Sequence, residues 1–352
     1  MSSQPSDAQP LWTRILADFR ESNLPRSILE IAVTALPFLA LWVAMGILVV
    51  QGFWWGIALA VPTAAFLVRL FMIQHDCGHG AFFQSRPAND WVGRIISIVT
   101  LTPYDQWRRS HAGHHAAVGN LDRRGIGDVR TMTVREYVGA SPWQRFGYRF
   151  IRHPLILFGL GPTFLFLLQN RVPIRPWRES WRGWISPMAT NAAIAAVAAL
   201  ACFIVGPAVF FAIQLPVILL SATIGVWLFY VQHQFEETLW RDGDGWSHSE
   251  ASLHGSSFYD LPQPLRWLTA DIGIHHVHHL SSKIPFYRLA DAMEAHPDLK
   301  VIGRLTLWTS LKCIPLALWD EESGRLVSFR EMRALERRRN AAGPRVMPAA
   351  AG

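Results

Sequence analysis

Three short stretches of this 352-residue chain gather histidine in a way that suits metal binding. In "HDCGH", His75 and His79 stand four apart. In "HAGHH", His111, His114 and His115 fall at i, i+3 and i+4, and "HHVHH" repeats that spacing with His275, His278 and His279 while adding His276. Residues three and four apart share a helix side, so each stretch can present several imidazoles together. A lone histidine near a membrane surface is ordinarily a hydrogen-bonded interfacial residue; three clusters built on one spacing are not explained that way. So many donors exceed what one four- to six-coordinate ion can use, which implies two ions.

Zinc is the weaker choice. Its hydrolytic sites use three protein ligands and a water, and the helical HExxH pattern is absent. Iron brings oxygen chemistry, which an enzyme needs when its substrate offers only C–H bonds. Soluble di-iron bundles mix Glu with Glu-x-x-His, a pattern this chain lacks, so neutral nitrogen would dominate the ligands. Charge compensation then falls to nearby acids, and Asp76, Glu236, Glu237 and Asp271 are the candidates, each weighed against a plain solvated surface role.

The elements that must position these clusters are membrane spans. The chain is 51% hydrophobic and only 17% charged, with a mean hydropathy of +0.17. Its apolar residues fall in blocks rather than in a periodic scatter. Four blocks are long enough to cross a bilayer, at about 28–50, 53–73, 187–205 and 208–232. They form two hairpins, joined by Gln51-Gly52 and by Gly206-Pro207. The stretches 91–103 and 154–169 are short, and the second is broken by Gly159, Gly161 and Pro162; both read as interfacial or re-entrant. The expectation is an all-α integral membrane protein of four transmembrane helices in two hairpins, with interfacial helices and a cap carrying the histidines. It divides into a leader (1–26), a membrane body (27–320) and a basic C-terminal helix with a disordered tail (321–352).

The net charge of +7 comes almost entirely from Arg. Arg14, Arg20, Arg26, Arg108, Arg109, Arg123, Arg124, Arg175, Arg178, Arg182 and the C-terminal "ERRRN" all fall on the side opposite the two hairpin joints, as topology-setting charge does. That side is therefore read as the cytoplasm, holding both termini and the histidine clusters, and no nucleic-acid partner is implied. Trp54 and Trp55 suit the far interface, and Trp177, Trp181 and Trp184 the near one. In the leader, which lacks the features of a removable signal peptide, Trp12, Ile15, Leu16 and Phe19 recur at helical spacing. That helix would lie on the membrane surface or dock on the body. Cys77, Cys202 and Cys313 are scattered without a CxxC pair, so neither a disulfide framework nor a cysteine zinc site is implied.

At "HDCGHGAFF", "HAGHH" and "IGIHHVHHLSSKIP" the sequence resembles the membrane fatty acid desaturases, whose pattern is three histidine boxes. "GNLDRRGIGD" and "VQHQFEETLW" are similar to the bacterial acyl-lipid branch and the plant plastid omega-6 desaturases. The resemblance runs from about residue 30 to about 300. It implies a four-helix scaffold under a cytosolic cap, two non-haem irons, O2 as oxidant and an external electron donor, with a bacterial inner membrane as the location. Carried over, the ligands are His75, His79, His111, His114, His115, His275, His278 and His279. A ninth, His233 in "YVQH", holds the position of an additional ligand in the related acyl-CoA desaturases. His254 stands where relatives often carry Asn and is an alternative or water-bridged ligand; His276 is a supporting or capping group. His153, His248 and His296 are left structural or exposed. The HPGG haem motif of a fused cytochrome b5 is missing, so a separate donor such as a ferredoxin is implied.

The resulting expectation is an O2-dependent enzyme that places a cis double bond in the acyl chains of membrane lipids, most like the delta-12/omega-6 type. A hydroxylase or ketolase of acyl chains, alkanes or carotenoids is the alternative on the same scaffold. A haem carrier or metal transporter is remote, because the centres of the four spans hold no histidine.

Overall fold

The computed structural model describes residues 12, 14–125, 127–174 and 177–341. Arg175, the Ala- and Pro-rich tail (342–352) and most of the leader's first dozen residues lie outside them.

Four helical segments are long and apolar enough to cross a membrane, and the chain is an integral membrane protein. Helix α1 (Leu24–Val50) opens with Asn23, whose side chain accepts the Arg26 N–H, and with Pro25 in its first turn. Gly52, with a φ of +86°, reverses the chain at the first joint. A 3-10 turn at Trp54–Leu59 then leads into α2 (Ala60–His79). The second hairpin pairs α6 (Trp181–Val205) with α7 (Pro207–His233) through Gly206, whose φ of +84° only glycine adopts readily. Both hairpins stand where the sequence places them, but each span is longer at the histidine end. Helix α2 runs to residue 79 rather than 73 because Gln74, His75, Asp76 and Cys77 are buried under the cap instead of meeting water. It is the central helix, packing on α1, on α7 and on α3 (Arg86–Val99), and 56% of its most apolar window is buried against 6% for α6.

The short stretches do not cross. Helix α3 has 14 residues, and Trp91 and Ile95 lie on its exposed face. Helix α5 (Pro142–Arg152) is bent by 62° from the turns that follow it at Ile156–Arg171. Convergence of the histidines supplies a parity argument: His114 precedes this bent segment and His233 ends α7, yet their rings touch. With α6 and α7 making two crossings, an odd crossing between them would put the two rings on opposite faces. The bent segment instead returns to pack on α7, where Phe158 lies against Trp227 and Tyr230.

Above the spans, α4 (Tyr104–His115) and α9 (His275–Leu280) carry the remaining site residues, and α8 (His248–His254) packs on α9. Short strands brace them. β1 (Met132–Thr133) runs parallel to β4 (Leu316–Asp320), which pairs antiparallel with β5 (Arg325–Ser328), and β2 (Phe258–Asp260) runs parallel to β3 (Arg304–Thr306). Helix α10 (Phe329–Ala341) follows β5. Of the two readings of the leader, docking is what the fold adopts: Leu16 is fully buried, and Trp12 and Phe19 set their ring edges against His296 at 6.2 and 6.4 Å.

Candidate metal centre

Nine imidazoles meet where α2, α4, α7 and α9 converge, and they divide into two groups. His75, His79, His111, His115 and His278 form one, His114, His233, His275 and His279 the other, with the potential donor atoms of each within 4.8 Å of one another. The division cuts across the clusters by a simple rule. Members four apart stay together, as in His75 with His79, His111 with His115, and His275 with His279, while the member three apart crosses to the other group. Four residues advance a helix about 40° and three about 60° the other way, so in the second and third clusters the ring three apart faces a different centre.

The Nε2 atoms line each group. In the first, His79 and His111 are 3.0 Å apart, His111 and His115 3.1 Å, and His115 and His278 3.1 Å. In the second, His114 and His233 are 3.1 Å apart, His233 and His275 2.9 Å, and His275 and His279 3.1 Å. Two nitrogens bound at about 2.1 Å and at right angles around one ion lie about 3.0 Å apart. The hydrogen bonds on the far side of the rings exclude mutual hydrogen bonding at the His114–His233 contact. His114 Nδ1–H donates to Asp128, and His233 Nδ1–H donates to the Gly255 carbonyl at 3.2 Å. Both Nε2 atoms then carry bare lone pairs facing each other, an arrangement a cation between them would turn from repulsive to attractive. Burial, reinforced by the neighbouring imidazoles, pushes His111, His115, His275, His278 and His279 well below the ordinary histidine range, so they are neutral donors at physiological pH. The donor set fits two metal ions.

The letters between the histidines of "HDCGH" now have reasons. Asp76 accepts from His75 Nδ1 at 3.0 Å and from the Phe286 N–H at 2.6 Å, tying the first cluster to the cap. Cys77 is fully buried and its carbonyl accepts from the Tyr104 hydroxyl. A Cβ on Gly78 would lie 2.7 Å from the Trp107 ring, which stacks on His111 at 4.5 Å. Gly80, at φ +66°, ends α2.

Other expected residues stand elsewhere. His254 is exposed and belongs to neither group. His276 turns away from the centre and donates from Nε2 to the Leu299 carbonyl at 2.9 Å; burial pushes it down to about 4. It pins α9 to the cap rather than facing the ions. Glu236 is exposed and pairs with Arg325 at 2.8 Å, and Glu237 is exposed as well. Asp271 pairs with Arg266 at 2.7 Å and, with Ala270, adopts left-handed backbone that turns the chain into the third cluster. Sequence reasoning missed Asp128, the carboxylate that orients His114. Its only signal was its place at the end of "GNLDRRGIGD", fourteen residues from its partner.

Asp128→Ala is expected to weaken metal retention by the four-histidine group about 10- to 100-fold, because an outer partner that fixes the tautomer is lost. Titrating the purified variant with a chelator and measuring retained metal checks this. Retention equal to that of the unaltered protein would remove Asp128 from the site.

The family model for fatty acid desaturases matches residues 52–303. A "Fatty acid desaturase" of Bacillus subtilis is 43% identical over 325 residues, covering 92% of both chains. An "sn-1 acyl-lipid omega-3 desaturase (ferredoxin)" of Synechocystis is 30% identical over 238 residues, 64% of this chain and 63% of that one. From the same organism, an "sn-1 oleoyl-lipid 12-desaturase" is 28% identical over 257 residues, 68% of this chain and 66% of its own.

Proposed function

The chain belongs to the fatty acid desaturase family and is an oxidoreductase, and on that premise we propose that it introduces a cis double bond into the acyl chains of membrane lipids, with delta-12/omega-6 chemistry. The observation that carries this reading is the pair of all-nitrogen groups built from the ends of α2 and α7 and from the cap helices α4 and α9 above the spans. The first group would hold one iron and the second another. When bound, the irons supply the activation of O2 and the removal of hydrogen from unactivated methylenes. The net change is one –CH2–CH2– unit, one O2, two electrons and two protons giving one –CH=CH– unit and two waters.

This chain's own residues do the rest. Asp76, Asp128 and the Gly255 carbonyl hold three rings in the tautomer that points Nε2 inward. Phe229 closes against His114 and His233 at 5.2 and 5.1 Å, helping to keep bulk water from the second group. The nine imidazoles act as ligands, leaving regioselectivity to the depth at which an anchored chain is held. The arginine-rich side is the cytoplasm, in a bacterial inner membrane, and the external donor is a ferredoxin or similar carrier; a relative named as ferredoxin-dependent supports this.

The test is a fatty acid profile by gas chromatography and mass spectrometry of a host lacking dienes, expressing this chain with a ferredoxin system and with His114→Ala as the blank. A diene absent from the blank is expected, and its fragments give the bond position. An unchanged profile from iron-loaded protein, or hydroxylated lipids in its place, would overturn the reading.

A further inference from the structure

Of the nine imidazoles, all four of the second group are buried, whereas His79 and His111 of the first are only half-buried. The first group is thus the part of the site that approaches solvent. Trp107, itself half-buried, lies flat on His111 with ring centroids 4.5 Å apart and an interplanar angle of 17°.

Cations gather at the same place. Exposed Lys283 donates from Nζ to the His79 carbonyl at 2.7 Å. A Cβ on Gly80 would lie 3.0 Å from Nη1 of exposed Arg86 and 3.3 Å from Nζ of Lys283, so the two charges flank one residue next to His79. Arg20 joins the same loop through Ser281 Oγ at 2.9 Å. The acid opposing them is Asp90, which Arg86 shares with Arg108 at 3.2 and 2.9 Å, and Lys283 has no carboxylate partner among the described residues. One cation suffices to satisfy the His79 carbonyl at the end of α2. A second beside it is repelled at close range, a cost that an arriving anionic surface offsets.

We propose that electrons enter at the five-histidine end, through a docking face formed by Lys283, Arg86 and the Trp107 edge that receives an acidic one-electron carrier protein. The inference rests on the desaturase reading for its need of two electrons per double bond. Each electron would leave the carrier, which is oxidised, for the metal that the five-histidine group would hold, and two successive encounters would supply the two electrons of one turnover. The face recognises charge rather than a particular fold, so charge complementarity sets the encounter rate and its salt dependence.

The probe is a plant-type [2Fe–2S] ferredoxin, acidic and of known charge, and the readouts are its dissociation constant for the full-length protein in detergent and the rate at which it reduces the iron-loaded form. The Lys283→Glu/Arg86→Glu double variant is expected to weaken binding and slow reduction about 10-fold or more at low salt, and to flatten the salt dependence. Its iron content and its reduction by excess dithionite stay as in the unaltered protein. Lys283→Gln keeps a donor for the His79 carbonyl but loses the charge, and shows part of the slowing; a purely capping lysine would leave both readouts unmoved. Arg135→Glu, 86% exposed by its side chain and lying beside β4, is the control expected to change nothing. Wild-type binding and reduction in the double variant, or equal weakening in Arg135→Glu, would overturn the proposal. Because neither readout involves lipid, a protein that binds and accepts electrons but makes no diene keeps the docking face and loses the acyl-lipid reading.

Discussion

His233→Ala is expected to lower the iron content of the purified protein from about two ions per chain to about one and to bring diene formation below detection. His233 stands at the centre of the four-histidine group, 3.1 Å from His114 and 2.9 Å from His275 by Nε2. Its loss leaves His114 and His275 without a common neighbour, while the five-histidine group keeps every ring. Loss of an outer partner costs about 10- to 100-fold in affinity, and loss of a donor atom costs more. His254→Ala, at an exposed position outside both groups, is the matched control and is expected to retain iron and activity. Metal analysis alongside lipid profiling reads both effects. Full iron and a normal diene yield in His233→Ala would sink the assignment of two separate groups.

The second large effect lies where α1 packs on α2. Glu30→Ala is expected to destabilise the fold by about 3–5 kcal/mol, the usual cost of leaving one member of a buried ion pair alone. Arg69 on α2 is 1% exposed and meets Glu30 on α1 at 2.5 Å, with Thr34 Oγ1 at 3.2 Å and the Trp267 ring 4.2 Å from its guanidinium carbon. Arg26 binds the other oxygen of Glu30 at 2.7 Å but is itself about half exposed, and among the described residues Glu30 is the carboxylate ion-paired with Arg69. Removing it strands the guanidinium. The double variant Glu30→Leu/Arg69→Met removes both charges and is expected to recover most of the loss, because desolvation and attraction disappear together. Thermal unfolding in detergent, followed by size-exclusion after heating, measures the difference. If Glu30→Ala unfolds with the unaltered protein, or the double variant is no better than the single one, the pair does not hold α1 to α2.

These two results bear on different levels of the sequence. Histidine spacing announced the metal chemistry because a ligand must be a particular residue type at a particular helical interval, and that requirement is local. Glu30 and Arg69 lie within blocks whose apolar character dominates any window average, so neither drew notice. Their meaning depends on which two helices pack side by side, and residues 39 apart do not reveal this through periodicity.

The sequence alone determined the four spans, the two tight joints and the histidine types and intervals, since bilayer thickness, glycine's freedom at positive φ and the helical repeat act on neighbouring residues. Tertiary structure decided how nine rings divide into five and four, because the packing angles of α2, α4, α7 and α9 set which centre each ring faces. It also placed Asp128 against His114 while Glu236 and Asp271 pair with arginines, and turned His276 to the Leu299 carbonyl in the cap. The leader's apolar stripe found a protein surface instead of lipid, with His296 and the core around Leu16 beneath it. Each of these outcomes depends on proximity between distant segments, which is established only when hydrophobic burial brings the helices and cap together.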